Sequence, residues 1–402
     1  MKRFHTPQKS NFHFLYLFPL ILIVWGCASD QASNFSNFLP TPSQTTPTTP
    51  SPTIPNPSAI LTPIPKSLPQ SPSLVNTITQ LSQYSNSTPL DLRLSSWPYP
   101  YRVKEIEVTM QGKKYPMAYM DVLPKGKPRG VVLLFHGKNF ASDYWEKTIS
   151  GLSQAGYRVI APDQIGFGKS AKPSIDYHFD DLAANTKQLL RSLKISKAHV
   201  IANSMGGILG VRFAVLYPKT VEKLVLENPL GLEDYSKDIP PQQNTTLLKI
   251  EMTQTEESYR KFLQSYFPKW QPEFERFVEI YVRVQKGPDY QTFSQTSVLT
   301  YQMIAEKPIV ADLPRLKMPT LLIIGQQDRT VFGRRFAPPE AVKLLGNFPK
   351  LGENAAKIIP HAKLVPLANV GHIPHIEVPE LFNETVLNFL KTSKKKGKSK
   401  KR

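Results

Sequence analysis

Short runs of apolar residues with no polar alternation recur through the middle of this chain, at residues 130–135, 157–162, 198–202, 223–227, 320–325 and 362–367. Runs of this length, hydrophobic on both faces, are the pattern of parallel strands covered by helices on either side. Residues 102–108 and 114–122 differ. They alternate apolar and polar across Gln111-Gly112, which predicts a hairpin at the edge of the sheet. Leu182, Leu189, Leu190 and Leu193 recur at helical spacing, a small-residue segment from Met205 to Tyr217 stops before Pro218, and residues 379–390 read as a last helix. Strands alternating with helices predict an α/β fold with a mostly parallel central sheet.

Between residues 233 and 308 the strand pattern stops. Tyr259, Phe262 and Tyr266, then Trp270, Phe274, Phe277 and Tyr281, recur at helical spacings, and these 76 residues hold 12 aromatics, above the chain's 10%. Such a helical insertion must bury its rings against itself, the sheet or a ligand, and a few facing inward would make a pocket apolar and largely closed.

Composition changes sharply towards both ends. Lys2, Arg3 and Lys9 precede an apolar run from Phe14 to Trp25, too short to span a bilayer and suited to a signal peptide over residues 1–26. The chain's only cysteine, Cys27, follows Val24-Trp25-Gly26, which resembles the lipobox of bacterial lipoproteins, Trp25 being an unusual occupant. Acylation there would anchor the chain to a membrane, and the alternative is plain secretion with a free thiol. A lone cysteine also excludes an internal disulfide framework. Residues 31–90 contain 12 prolines and a single charged residue, Lys66, so residues 27–92 are expected to form an extended or disordered tether. Residues 391–402 are basic in eight of twelve positions. With this tail and the three leader charges set aside, about +8 of the net +19 remains. No base-stacking motif accompanies the basicity, so no specific nucleic-acid partner is expected.

The candidate chemistry lies just past the strand ends. The run ending at Ala202 stops at Asn203-Ser204 and a helix follows, so Ser204 occupies a strand-turn-helix junction that pushes its hydroxyl clear of the backbone. Ala202-Asn-Ser204-Met-Gly206 matches G-x-S-x-G with alanine for the first glycine. Asp328 follows the strand at 320–325, and His372 follows the strand at 362–367. In an open parallel sheet, loops at the carboxyl ends of the strands build active sites. Asp163 precedes the serine in the chain, Glu227 is a rival acid at the end of its own strand, His136 reads as structural, and His375 reads as a helix-entry or pocket residue.

From about Trp97 to Leu390 the chain resembles the α/β-hydrolase family, through His136-Gly137, the Asp163-Gln-Ile-Gly-Phe-Gly168 turn, the serine elbow, Gly325-x-x-Asp328 and Gly371-His372, all in the family's order. The resemblance implies an α/β-hydrolase fold with core segments at residues 93–232 and 310–390 and a helical cap at 233–309. It implies a catalytic triad of Ser204, Asp328 and His372, with an oxyanion hole from the N–H groups of Met205 and of Lys138, or less favourably Asn139. The Lys138 side chain is expected to point to water, the alternative being a pairing with a substrate carboxylate. A serine nucleophile argues against the dehalogenases and epoxide hydrolases of the family. The expected activity is hydrolysis of a small, mainly apolar ester, with no cofactor and no metal. Two alternatives stay open: carbon-carbon bond hydrolysis of a vinylogous diketone, because Asn203-Ser-Met-Gly-Gly207 is similar to the elbow of such enzymes, and a non-catalytic surface-anchored binding scaffold.

Overall fold

The structure is a computed structural model that describes residues 83–391. The expected signal peptide, the tether up to residue 82 and the basic tail from residue 392 lie outside the described residues. Eight strands, β1 (Val103–Met110), β2 (Lys113–Val122), β3 (Gly130–Phe135), β4 (Tyr157–Pro162), β5 (Ala198–Asn203), β6 (Val221–Glu227), β7 (Thr320–Gly325) and β8 (Ala362–Leu367), form one sheet in the order β1-β2-β4-β3-β5-β6-β7-β8. β1, β2 and β4 pair antiparallel in turn, and every pairing from β4 across to β8 is parallel. The β1–β2 turn is two residues long, with Gln111 at φ 50° and Gly112 at φ 77°. Positive φ at both central positions is what a twisted hairpin requires, and glycine meets it without strain.

Helices follow the strands as α1 (Glu146–Gln154), α2 (Phe179–Ser192) and α3 (Met205–Leu216) in the first half. Between β6 and β7 come α4 (Asn244–Met252), α5 (Glu256–Gln264), α6 (Glu275–Gln285) and α7 (Tyr290–Ala305). Then come α8 (Pro339–Leu344), α9 (Phe348–Ile358), α10 (Pro374–Glu377) and α11 (Pro379–Lys391). Successive side chains of a strand point to opposite faces. Leu133, Phe135, Val200, Ala202, Leu224 and Leu226 therefore join one core, with Leu189 of α2, Phe213 of α3 and Phe348 of α9. Val132, Leu134, Ile201 and Val225 join another, with Ile149 of α1 and Phe382 of α11. α3 is buried at every residue from Met205 to Ala214, which explains why it is apolar all round rather than amphipathic.

Two features depart from the sequence reading. Residues 83–92, expected to end the tether, pack on α6: Leu90 is 1% exposed and donates its N–H to Arg283 O at 2.9 Å, and Tyr84 Oη donates to Glu275 O at 3.2 Å. The average over a proline-rich stretch conceals these two residues, Leu90 burying its side chain and bonding through its backbone N–H, Tyr84 bonding through its hydroxyl. The segment between Asp328 and His372, to which no role was given, supplies α9 as the crossover between parallel β7 and β8. Gly352 disguises that helix in the sequence. A Cβ there would come within 2.7 Å of Ile324 Cγ1, so the glycine is what lets α9 lie close on β7.

Candidate active site

The β5–α3 junction holds Ser204 at φ 55°, ψ −121°, a conformation that a non-glycine residue keeps only when its surroundings fix it. Ser204 N–H donates to Glu227 O at 3.2 Å, and Ser204 O accepts from Gly207 N at 2.8 Å and Leu230 N at 3.0 Å. A Cβ on Gly206 would lie 2.4 Å from Phe135 O, and one on Gly207 would lie 2.3 Å from Pro229 Cβ. Only glycine fits this turn at those two places. Where the motif has alanine, Ala202 faces Gly210 of α3, whose added Cβ would stand 3.0 Å from the Ala202 Cβ. The glycine on the helix makes room for the methyl group on the strand.

His372 Nε2 lies 2.9 Å from Ser204 Oγ, and His372 Nδ1 lies 2.7 Å from Asp328 Oδ2. The carboxylate accepts the Nδ1 proton, which leaves Nε2 as acceptor for the serine hydroxyl. Histidine and aspartate are 1% and 2% exposed, so bulk water does not compete for these bonds. Asp328 Oδ1 accepts from Thr330 N at 2.9 Å, and Oδ2 also accepts from Asn228 Nδ2 at 2.8 Å. Asn228 donates as well to Gly371 O at 2.7 Å and accepts from Gly325 N at 2.8 Å. It clamps the ends of β7 and β8 together.

The loop after β3 passes beside the serine: a Cβ on Gly137 would lie 3.3 Å from Ser204 Cβ. Gly137 N–H is taken by Tyr144 Oη at 2.9 Å. Among the described residues, the N–H groups of Lys138 and Met205 have no acceptor, and Met205 opens α3, where the helix dipole is positive. The Lys138 side chain does not point to water. Its Nζ donates to Ser297 O at 3.0 Å and Ser297 Oγ at 3.2 Å inside the cap, and Ser297 Oγ donates in turn to Glu251 at 3.1 Å. The stem is long enough to cross from the loop to α7, where paired polar groups replace the water it loses. Burial lowers its ammonium to about 8 against the pull of Glu251.

Asp163 holds its turn, accepting from Ser142 N, Lys169 N and Tyr99 Oη at 2.7, 2.7 and 2.8 Å. His136 is bonded to backbone through both ring nitrogens, Nδ1–H to Gly137 O at 2.8 Å and Nε2 from Gln164 N at 3.0 Å. Glu227 binds His375, at 2.7 Å to its N–H and 2.9 Å to Nδ1, and the His375 ring stacks on Trp145 with centroids 3.8 Å apart. Glu377, pushed up to about 7 by burial, accepts the N–H groups of Gly371 and Ile373 on either side of the histidine. Asn228, the Glu227–His375 pair and Glu377 were not found from sequence. Glu227 ends β6 and Asn228 follows it, whereas His375 and Glu377 stand on α10, so no spacing in the chain brings them together.

A cavity of about 760 Å³ opens over Ser204 beneath the insertion. Tyr259, Phe262, Tyr266, Phe277, Tyr281 and Phe293 wall it, so part of the aromatic surplus does face the pocket. Among the described residues no cluster of His, Cys, Asp and Glu could hold a metal ion.

A family model of the alpha/beta hydrolase fold matches residues 130–379. Lipase 1 of Psychrobacter immobilis is 30% identical over 265 residues, 64% of this chain and 75% of that protein. A 2-hydroxy-6-oxononadienedioate/2-hydroxy-6-oxononatrienedioate hydrolase of a Pseudomonas species is 30% identical over 65% of this chain and 87% of its own length. Among solved structures, a probable hydrolytic enzyme from Pseudomonas aeruginosa PAO1 superposes with a TM-score of 0.74 at 43% identity, covering 76% of this chain and 99% of that one. The sheet order, the cavity over a serine elbow and these matches lead to one conclusion: the chain belongs to the alpha/beta hydrolase family and is a hydrolase.

Proposed function

We propose that the chain is a serine hydrolase of small esters with a mainly apolar body, acting through Ser204, His372 and Asp328. The observation that carries this reading is the buried relay of 2.9 and 2.7 Å from serine to histidine to aspartate, with Lys138 and Met205 N–H groups left without acceptors beside it. Ser204 Oγ attacks the ester carbonyl while His372 Nε2 takes its proton, and Asp328 holds the imidazole tautomer and balances its charge. The oxyanion accepts from the two N–H groups, each typically accounting for about 10²- to 10³-fold in rate. His372 then protonates the departing alcohol. Water, deprotonated by the same nitrogen, attacks the acyl-enzyme, releases the carboxylic acid and restores the serine.

A fluorophosphonate probe tests this directly. Wild type is expected to label at Ser204, while Ser204→Ala and His372→Ala do not label and lose about 10⁴-fold or more in ester turnover. Folded wild type that stays unlabelled beside a reactive control esterase overturns the reading. Carbon-carbon hydrolysis is the second reading, favoured by the 30% identity to an enzyme named for that chemistry and by the shared elbow type at Asn203-Ser-Met-Gly-Gly207. A vinylogous diketone set beside the ester panel separates the two.

A further inference from the structure

The cavity wall is aromatic, but its charges are unbalanced. Five cations line it, Lys138, Lys172, Arg329, Arg334 and Arg335, against two acids, Asp143 and Glu251. Both acids are already occupied. Asp143 accepts from Trp97 Nε1 at 3.1 Å and Arg276 at 2.9 Å, and Glu251 accepts from Ser297 Oγ and Tyr281 Oη at 3.1 and 3.2 Å. The three arginines come from the stretch just after Asp328, are exposed, and have no carboxylate within ion-pair distance among the described residues. Arg329 is anchored by Nη1 alone, to Gln326 O at 3.1 Å and Asp328 O at 2.6 Å, which leaves the rest of its fork free. Deeper in, Lys172 is 6% exposed and its Nζ reaches only the carbonyls of Gly168 and Ser170, at 2.5 and 3.3 Å.

A cleft with one sign of charge and low-dielectric walls concentrates ligands of the opposite sign, and a guanidinium matches a carboxylate in two-bond geometry. Solvated surface arginines would not be expected to gather on the wall of the cavity that reaches the serine. We propose that the substrate carries a carboxylate remote from the scissile carbonyl, held at the cavity rim by Arg329, Arg334 and Arg335. The apolar body of the ester then lies along the cap aromatics. This rests on the ester reading and narrows its substrate class to half-esters of dicarboxylic acids or esters of hydroxy acids.

The test compares two matched pairs. In one, the charge is on the acyl side, as p-nitrophenyl hydrogen adipate against p-nitrophenyl methyl adipate. In the other it is on the alcohol side, as the butyrate ester of a hydroxyhexanoate against that of its methyl ester. Wild type is expected to prefer the charged member of at least one pair by about 10-fold in kcat/KM, and added salt should reduce the preference. The exposed double variant Arg334→Gln/Arg335→Gln should bring that ratio close to one. Lys357→Gln/Lys363→Gln, which removes the same charge from exposed positions outside the cavity, should leave the ratio as in wild type. Ser204-dependent turnover with equal kcat/KM within both pairs overturns the carboxylate subsite alone, as does a ratio that falls equally in both double variants. Absence of Ser204-dependent turnover of all four esters overturns both the subsite and the ester reading.

Discussion

Lys172 is a cation that the fold holds against its desolvation. Burial lowers its ammonium to about 7 from an ordinary 10.5, with Asp163 and Asp91 opposing that shift and Arg93 and Lys169 adding to it. Below about pH 7 the native state carries a buried charge. Above it the native state gives up the proton, while the unfolded chain keeps it to about pH 10.5. The unfolded state thus binds more protons across this window, and stability rises with pH through it. The thermal midpoint of Lys172→Met should exceed that of wild type at about pH 6.5, with the gap narrowing towards about pH 9.5. Parallel curves would place the ammonium in solvent. The residues that sequence could single out were those whose place in the chain gives them away: Ser204, Asp328 and His372 each follow a strand that stops. Asn228 carries no such mark. It touches Asp328 and Gly371, 100 and 143 residues away, and only the closed sheet brings the three together.

The element that ties the cap to the proposed triad is the short link between α5 and α6. Tyr266 O accepts from His372 N–H at 2.8 Å, its ring lies over the imidazole with centroids 4.9 Å apart, and its hydroxyl accepts from Asn139 Nδ2 at 2.8 Å. Gly371 is glycine for this reason, since a Cβ there would lie 2.3 Å from Tyr266 O. With Lys138 bonded to Ser297 of α7, the cap grips both the histidine segment and the loop proposed to hold the oxyanion. Tyr266→Phe keeps the ring and the carbonyl and removes only the bond to Asn139. It should lower kcat by about 3- to 10-fold, the size of one hydrogen bond, with little change in KM. A change confined to KM would make Tyr266 a wall for substrate and nothing more. Periodicity in the sequence revealed that the insertion is helical and aromatic, because helix spacing is local. It could not reveal that one tyrosine reaches back to His372, which depends on how the cap is seated.

At the scale of the molecule, the described chain begins by fastening itself to the cap. Leu90 is buried among the residues that join the cap helices to the α1 and α11 side of the sheet, and Arg283 Nε returns a bond to Thr88 O at 2.7 Å. Leu90→Ala should destabilise the protein by about 2–5 kcal/mol, read as an earlier denaturant midpoint in urea. An unchanged midpoint would mean that this stretch is only a passenger. Composition read it as part of the tether because twelve prolines outweigh Leu90 and Tyr84 in any average over residues 31–90. The attachment also sets where load enters the protein. Lys286 Nζ donates to the carbonyls of Tyr84 and Ser85, and Tyr84 reaches Glu275, so residues 83–90 are stitched along α6. Tension arriving from the N-terminal side therefore bears first on α6, whose Phe277, Ile280 and Tyr281 wall the cavity, and only afterwards on the sheet beneath it.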